Sequence, residues 1–253
     1  FVFILGTALG SFFNVCIHRM PRGESIIFPA SHCPACKKNI LWYDNIPVLS
    51  YFALGGRCRS CKARISFRYP LVELATGFLL AALFVNFGLT PKFFAYSVMA
   101  CVLIVSAFID FETGYIFYEI TIGGIIAGLL FAVLFPSVMN EAARIGSVLD
   151  SIAGLIAGGG SIFILKFLGT IAFKKKVDKL GIKSAMGEGD VVLMAMIGAF
   201  IGAKLVLFTF FAAPFFGVVP GIVAKIGKGK DTIPYGPFLA IAAFVAIFFG
   251  DAI

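Results

Sequence analysis

Apolar runs long enough to cross a bilayer recur along this chain, and they restrict its fold more than any other feature. Spanning a hydrocarbon core of about 30 Å takes roughly 20 apolar residues in a helix. Such runs are Phe1–Ile17, Leu71–Phe87, Phe93–Ile109, Ile116–Phe135, Val148–Phe173, Val191–Ile226 and Phe238–Ile253. The run Val191–Ile226 is too long for one helix and contains Gly202-Ala203-Lys204, which predicts a short helix, a tight turn and a second helix. The expected class is therefore an all-α polytopic membrane protein of about eight transmembrane helices. With 60% hydrophobic and 13% charged residues and a mean hydropathy of +1.01, the chain cannot clothe a water-soluble globule. It does not begin with methionine, so a few residues are expected to precede Phe1. The first span is expected to be retained rather than cleaved as a signal.

The net charge of +8 would point to nucleic acid if the basic residues were spread over one surface. They are not. Of the 21 Lys and Arg, nine lie between His18 and Tyr69, five between Lys174 and Asp190, and three between Lys225 and Gly236. Basic residues gather in cytoplasmic loops, which places these three loops inside, and eight spans alternate consistently with that choice. The segments Asn86–Lys92 and Pro136–Gly146 and the Lys204 turn then lie outside. Lys166, near the inner end of the fifth span, is expected to snorkel to the interface. The charge is a topology signal with a secondary attraction to anionic lipid, and the lipid bilayer, not nucleic acid, is the implied partner.

The one hydrophilic stretch long enough to fold outside the bilayer is residues 18–69. It holds Cys33-Pro34-Ala35-Cys36 and Cys58-Arg59-Ser60-Cys61, separated by 21 residues. Two such pairs at this distance predict a closed, structural four-thiolate zinc site formed by Cys33, Cys36, Cys58 and Cys61. A segment this small buries too little apolar surface to fold unaided, and the metal would supply the missing free energy. Cys16 and Cys101 sit in apolar spans as packing residues. His18 and His32 find the ligand shell already filled.

Ionisable groups in or beside spans are costly and mark function by default. Asp110 closes the third span where it reaches the cytosol, and Asp190 opens the sixth where it leaves. Two carboxylates at one depth on different helices can share a proton, one acting as base toward water and the other as acid toward a carbonyl oxygen. The alternative for Asp190, in Gly187-Glu188-Gly189-Asp190, is a simple N-terminal cap.

The motifs Gly10-Ser11-Phe12-Phe13-Asn14-Val15, Arg19-Met20-Pro21, the two cysteine pairs, Asn45-Ile46-Pro47-Val48-Leu49-Ser50-Tyr51, Gly55-Gly56-Arg57-Cys58, Arg68-Tyr69-Pro70-Leu71-Val72-Glu73, Ile109-Asp110, Gly187-Glu188-Gly189-Asp190 and Ile233-Pro234-Tyr235-Gly236-Pro237-Phe238 occur in an order that resembles the bacterial type IV prepilin peptidases over nearly the whole chain. The resemblance implies an inner-membrane aspartyl protease with a cytosolic zinc segment. It implies substrates that are type IV prepilins or pseudopilins, cut after a glycine to remove a short basic leader. It further implies methylation of the new N-terminal residue, usually Phe, by S-adenosylmethionine. Carried over by position, the catalytic pair is Asp110 and Asp190 and the metal ligands are the four cysteines. Asn14, Asn45, Gly56 and Glu73 are the candidates for the methyltransferase and cofactor site. Glu73 would accept a proton or hydrogen bond from the incoming amine, with pairing to Arg68 or another loop arginine as its alternative role. The expected organisation is a first span at 1–17, the cytosolic four-cysteine segment at 18–69, which forms the methyltransferase region with spans one and two, and a peptidase region at 70–253.

Where the family usually has Pro-Asp or Pro-Asn after Ile116, this chain has Phe117-Tyr118, which removes a fixed φ at the start of the fourth span. Archaeal preflagellin peptidases resemble the protease part but lack the cysteine module; a peptidase without methyl transfer is the nearest alternative. No Gly-x-Gly-x-x-Gly follows a strand, so a cofactor pocket would not be a Rossmann one. The run Gly158-Gly159-Gly160 suits close helix packing, with a flexible gate as the other possibility. A transporter or scaffold with a zinc regulatory loop would also show eight spans, but a transporter places its ionisable groups near the midplane.

Overall fold

Helices form wherever the chain is apolar, because a backbone in hydrocarbon must satisfy its own N–H and C=O groups. The computed structural model describes residues 1–172, 174, 186–228 and 233–250. Among them there is no β-strand, only the isolated bridges His32–Asn39 and Arg57–Arg64. The helices are α1 (Val2–Arg19), the short α2 (Leu49–Ala53), α3 (Arg68–Phe87), α4 (Pro91–Thr113), α5 (Tyr118–Leu134), α6 (Arg144–Ala172), α7 (Glu188–Lys228) and α8 (Gly236–Phe249). Five of them, α1, α3, α4, α6 and α7, are long and apolar enough to cross a membrane; α5 and α8 are shorter apolar helices. The basic residues expected between 175 and 185, Lys230, Phe173 and the end of the last run at 251–253 lie outside the described residues.

The break expected near residue 202 is present. Gly202 takes φ +75° and ψ 178° inside α7, a conformation open to glycine and strained for other residues. The Asp150 carboxylate of α6 accepts the Ala203 N–H at 3.1 Å, so the second arm of α7 begins on a cap lent by its neighbour. Elsewhere the boundaries differ from those expected. Helix α4 runs one turn beyond Ile109 and stops at Thr113, where Gly114 (φ +70°) donates its N–H to the Asp110 carbonyl at 2.7 Å. Asp110 is thus inside the last turn rather than at its close. Asp110, Glu112 and Thr113, polar around the single apolar Phe111, hid this turn from a search for apolar runs. Helix α5 begins at Tyr118 with extended Phe117 before it, so a proline is not needed to start it.

The chain divides into two units, Phe1–Gly88 and Leu89–Ile253. In the first, α1 and α3 run antiparallel in close contact. A Cβ on Gly6 would sit 2.8 Å from the Gly77 Cα, and one on Gly10 would sit 2.7 Å from the Glu73 Cα. Gly6 and Gly10 form the Gly-x-x-x-Gly spacing that lets helix backbones meet. In the second unit α7 is central, contacted by α4, α5, α6 and α8, and Leu193, Met194, Met196, Ile197 and Phe200 are fully buried along it. Helices α6 and α7 meet through glycines: a Cβ on Gly154 would strike the Gly198 carbonyl, and one on Gly158 the Met194 carbonyl. Gly158 and Gly159 therefore serve packing, while Gly160 faces open space.

This contact makes a contrast. Gly198→Leu should destabilise the protein by about 1–3 kcal/mol or more, as overpacking does, whereas Gly160→Leu should be near neutral. Thermal unfolding of the two variants in detergent checks it; equal midpoints would remove the packing role.

Candidate active site and metal centre

In the second unit, the last turn of α4 and the first turn of α7 bring Asp110 and Asp190 together. Both are buried, at 5% and 7% exposure, and the charge of Asp110 acts directly on Asp190. Each carboxylate also has a main-chain donor. The Gly236 N–H at the start of α8 gives Asp110 Oδ2 a bond of 2.8 Å. The Gly187 N–H donates to Asp190. The glycines are dictated by crowding: a Cβ on Gly236 would lie 2.8 Å from Asp110 Oδ2, and one on Gly189 would lie 2.6 Å from the Ile116 Cβ. Tyr235, just before α8, has its hydroxyl pushed up to about 12 by burial, with the Asp190 charge adding to it. The arrangement is two interacting, buried carboxylates, anchored by backbone N–H groups at the starts of α7 and α8. Such a pair can hold one proton between two sites and pass it on.

Beside it, both oxygens of Glu188 are engaged. Tyr118 Oη donates to Oε2 at 3.3 Å, and Lys166 Nζ reaches Oε1 at 3.2 Å. Lys166 therefore ends on Glu188, and Tyr118, which stands in the place of an expected acid or amide, links α5 to the first turn of α7.

In the first unit, the thiols of Cys33, Cys36, Cys58 and Cys61 lie within 4.8 Å of one another, with Cys33 and Cys61 at 3.8 Å. A tetrahedral ion with metal–sulfur bonds of about 2.3 Å needs sulfurs roughly 3.8 Å apart, so the set fits one metal ion. The two halves are copies of one backbone device. Cys33 N–H donates to Lys38 O at 2.9 Å, Lys37 N–H to Cys33 O at 2.8 Å and Ile40 N–H to Ser31 O at 2.9 Å. The counterparts are Cys58 to Ala63 at 2.9 Å, Lys62 to Cys58 at 3.0 Å and Ile65 to Gly56 at 2.8 Å. Lys37 and Lys62 both take left-handed φ values, 59° and 60°. The repeat Cys-x-x-Cys-Lys-x-x-Ile at 33–40 and 58–65 was the signal for this symmetry, beyond the cysteines alone. Backbone N–H groups of Cys61 and Ser60 draw the Cys58 thiol down to about 6. Cys61, despite an N–H from Ala63, is held up at about 11 by partial desolvation and by hydrogen bonds with its neighbouring thiols. Four thiolates this close repel, and a cation would relieve that repulsion.

The four other candidates divide. Asn14 and Glu73 lie on facing turns of α1 and α3. Asn14 Nδ2 donates to Tyr69 O at 3.0 Å and Gly10 O at 3.3 Å, and its Oδ1, though fully buried, has no partner among the described residues. Glu73 Oε2 accepts the Val48 N–H at 2.7 Å, and Ser11 also donates to the carboxylate. Val48 sits at φ 63°, ψ −53°, in a tight turn closed by Leu49 N–H to Pro47 O at 2.6 Å. Asn45 ends the exposed turn Trp42–Asn45. Gly56, at φ +65°, is the frame residue of the second knuckle, where a Cβ would lie 3.0 Å from Tyr51 Oη. Among the described residues no hydrogen bond joins Asn45 or Gly56 to the Asn14–Glu73 pair. Val48 and Ser11 went unnoticed in the sequence because their roles depend on a fold contact with Glu73.

Comparison with known proteins places both units. Residues 4–87 match the Bacterial Peptidase A24 N-terminal domain and residues 97–222 match the Type IV leader peptidase family. A prepilin leader peptidase/N-methyltransferase of Myxococcus xanthus is 38% identical over 91% of this chain and 64% of its own length. Proteins of the same name from Pseudomonas aeruginosa and Bacillus subtilis are 32% and 33% identical, over 99% and 100% of this chain and 90% and 94% of theirs. No solved structure matches the chain. With both of its units matched in order and such identity over nearly its whole length, the chain is a member of the type IV leader peptidase family.

Proposed function

We propose that this protein removes the leader peptide of type IV prepilins and pseudopilins after a glycine and then methylates the new N-terminal residue, usually Phe. The observation that carries the peptidase half is the convergence of buried Asp110 and Asp190 from separate helices, each held by a backbone N–H. That relatives bear the name prepilin leader peptidase/N-methyltransferase supports both halves.

Asp110 and Asp190 are the catalytic pair. One carboxylate removes a proton from water as it attacks the scissile carbonyl, and the other protonates that carbonyl oxygen; the proton then passes to the leaving amine. The cytosolic ends of α4 and α7 are where a bond between a polar leader and a membrane helix would be presented, and where water is present. The topology is that of eight apolar segments, with the two arms of α7 counted separately, α5 and α8 crossing as short spans, and the cysteine segment on the cytosolic side of the inner membrane.

Methyl transfer belongs to the first span, the cysteine segment and the second span. Zinc, held by Cys33, Cys36, Cys58 and Cys61, is structural and fixes both knuckles. S-adenosylmethionine, when bound, supplies an activated methyl group. What remains for the chain is to hold the new amine neutral and in line. Glu73, buried and anchored by Val48 and Ser11, and the unpartnered Asn14 Oδ1 are acceptors placed to receive N–H donors.

Three outcomes test this. Asp110→Asn and Asp190→Asn should each lower leader release by at least about 100-fold while the protein stays folded; wild-type cleavage of purified prepilin by either variant would end the aspartyl mechanism. Elemental analysis should find a single zinc per chain, lost in Cys36→Ser together with methyl transfer but not with cleavage. Because the ligands must be thiolates, zinc affinity should fall as pH is lowered. Glu73→Gln should release leader normally and leave the product lighter by one methyl group in mass spectrometry. Normally methylated product would remove the role of Glu73.

A further inference from the structure

Between residues 20 and 69 the structure buries a single residue, Cys33. Large apolar side chains are instead presented outward: Ile27 at 71% exposure, Phe28 at 76%, Trp42 at 80%, Leu49 at 69%, Phe52 at 63% and Phe67 at 60%. A water-exposed module this small does not hold so much apolar surface in solvent without a partner. The same stretch with its flanks, 18–69, carries nine basic residues against two acids, Glu24 and Asp44. Lys37, Lys38, Arg57, Arg59, Lys62 and Arg64 are all exposed.

Topology limits where this surface can be. Gly10 meets Glu73 and Gly6 meets Gly77, so α1 and α3 are antiparallel. The segment therefore leaves and re-enters the membrane at one face, with both ends tethered there. Its exposed turn is tied to the second knuckle. Arg59 donates to both Asp44 oxygens at 2.7 Å, and its guanidinium lies 5.3 Å from the Tyr43 ring centre. Trp42 thus has a fixed place on the module rather than a floppy one. Aromatic and aliphatic side chains interleaved with cations are what the boundary between headgroups and acyl chains accommodates. Each Lys or Arg near an anionic leaflet adds roughly 1 kcal/mol of attraction.

We propose that the cysteine segment is an interfacial module. Its exposed apolar side chains, of which Trp42 is the most exposed, rest in the anionic leaflet from which α1 and α3 emerge, and its basic side chains lie on the phosphates. The segment then has two supports: the metal inside, and the lipid surface in place of the hydrophobic core that it lacks. This inference does not rest on either enzymatic activity.

Trp42 is the only tryptophan in the chain, so its fluorescence reports on this surface alone. The full chain is reconstituted in vesicles of acyl-brominated phosphatidylcholine, with or without phosphatidylglycerol. With the anionic lipid, quenching of Trp42 by the brominated chains should rise at least about twofold over the neutral vesicles. The variant Lys38→Glu/Arg57→Glu/Arg64→Glu should lose that rise while keeping its metal content, which shows that the module is still folded. Absence of quenching in both vesicle types would overturn the proposal. Equal quenching in both, or quenching unchanged in the charge-reversed variant, would overturn it too, because the cations would then contribute nothing. Shielding of Trp42 only upon addition of a prepilin would assign the surface to the substrate instead.

Discussion

Every backbone polar group at membrane depth needs a partner within the protein, and the functional geometry is built at the few points where a helix cannot provide one. At Gly202 the ladder of α7 breaks, and the Asp150 carboxylate supplies the partner to Ala203. At the start of α8 the Gly236 N–H is an orphan of the helix terminus, and the Asp110 carboxylate accepts it. The two solutions are chemically alike and differ in consequence. Asp150 meets a chain break, whereas Asp110 meets a second carboxylate. An aspartate that would otherwise be a costly buried charge is thereby held in one orientation by a contact that the helix end requires anyway.

That orientation depends on close approach of helices, which hydrocarbon does not drive by itself. Lipid tails are as apolar as leucine, so association rests on packing and on small residues that let backbones meet. In the second unit Gly154 and Gly158 against α7 meet that need, and within the first unit Gly6 and Gly10 do the same for α1 on α3. At the site the same rule becomes stricter, since a methyl group on Gly236 or Gly189 would collide with Asp110 or Ile116. Glycine in Gly187-Glu188-Gly189-Asp190 thus keeps room for its neighbour, as well as easing the turn.

The apolar runs, the break at Gly202, the cysteine quartet and both aspartates could be read from sequence, because each is local: a run length, a spacing, or a charge beside a span. Helix ends could not, since the last turn of α4 is polar and continues until Gly114 provides the left-handed residue that ends it. The donor on Asp110 comes from Gly236, far along the chain, and only the fold pairs them. The contact between Tyr118 and Glu188 was hidden for the same reason, appearing in the sequence only as a departure from an expected acid or amide. The repeated knuckle was legible but needs the lysine and isoleucine after each cysteine pair to be counted with the cysteines.

The Val48–Glu73 contact shows what an isosteric change at Glu73 can separate. A β-branched residue at φ 63° stores strain of about 1–3 kcal/mol. A hydrogen bond to a charged acceptor contributes about 1.5–3 kcal/mol, enough to offset it, while a neutral bond contributes nearer 1. The carboxylate is therefore engaged in holding the turn that follows Asn45, whatever it does for an incoming amine. Glutamine keeps the acceptor oxygen and the shape, so the turn survives with a weaker anchor, but it has no negative charge to stabilise an ammonium and no basic oxygen to receive its proton. Alanine removes both functions and leaves the Val48 N–H without its partner. A loss of methyl transfer in the alanine variant alone would trace to the collapsed turn, whereas a loss already complete in the glutamine variant, with the metal retained, traces to the charge itself.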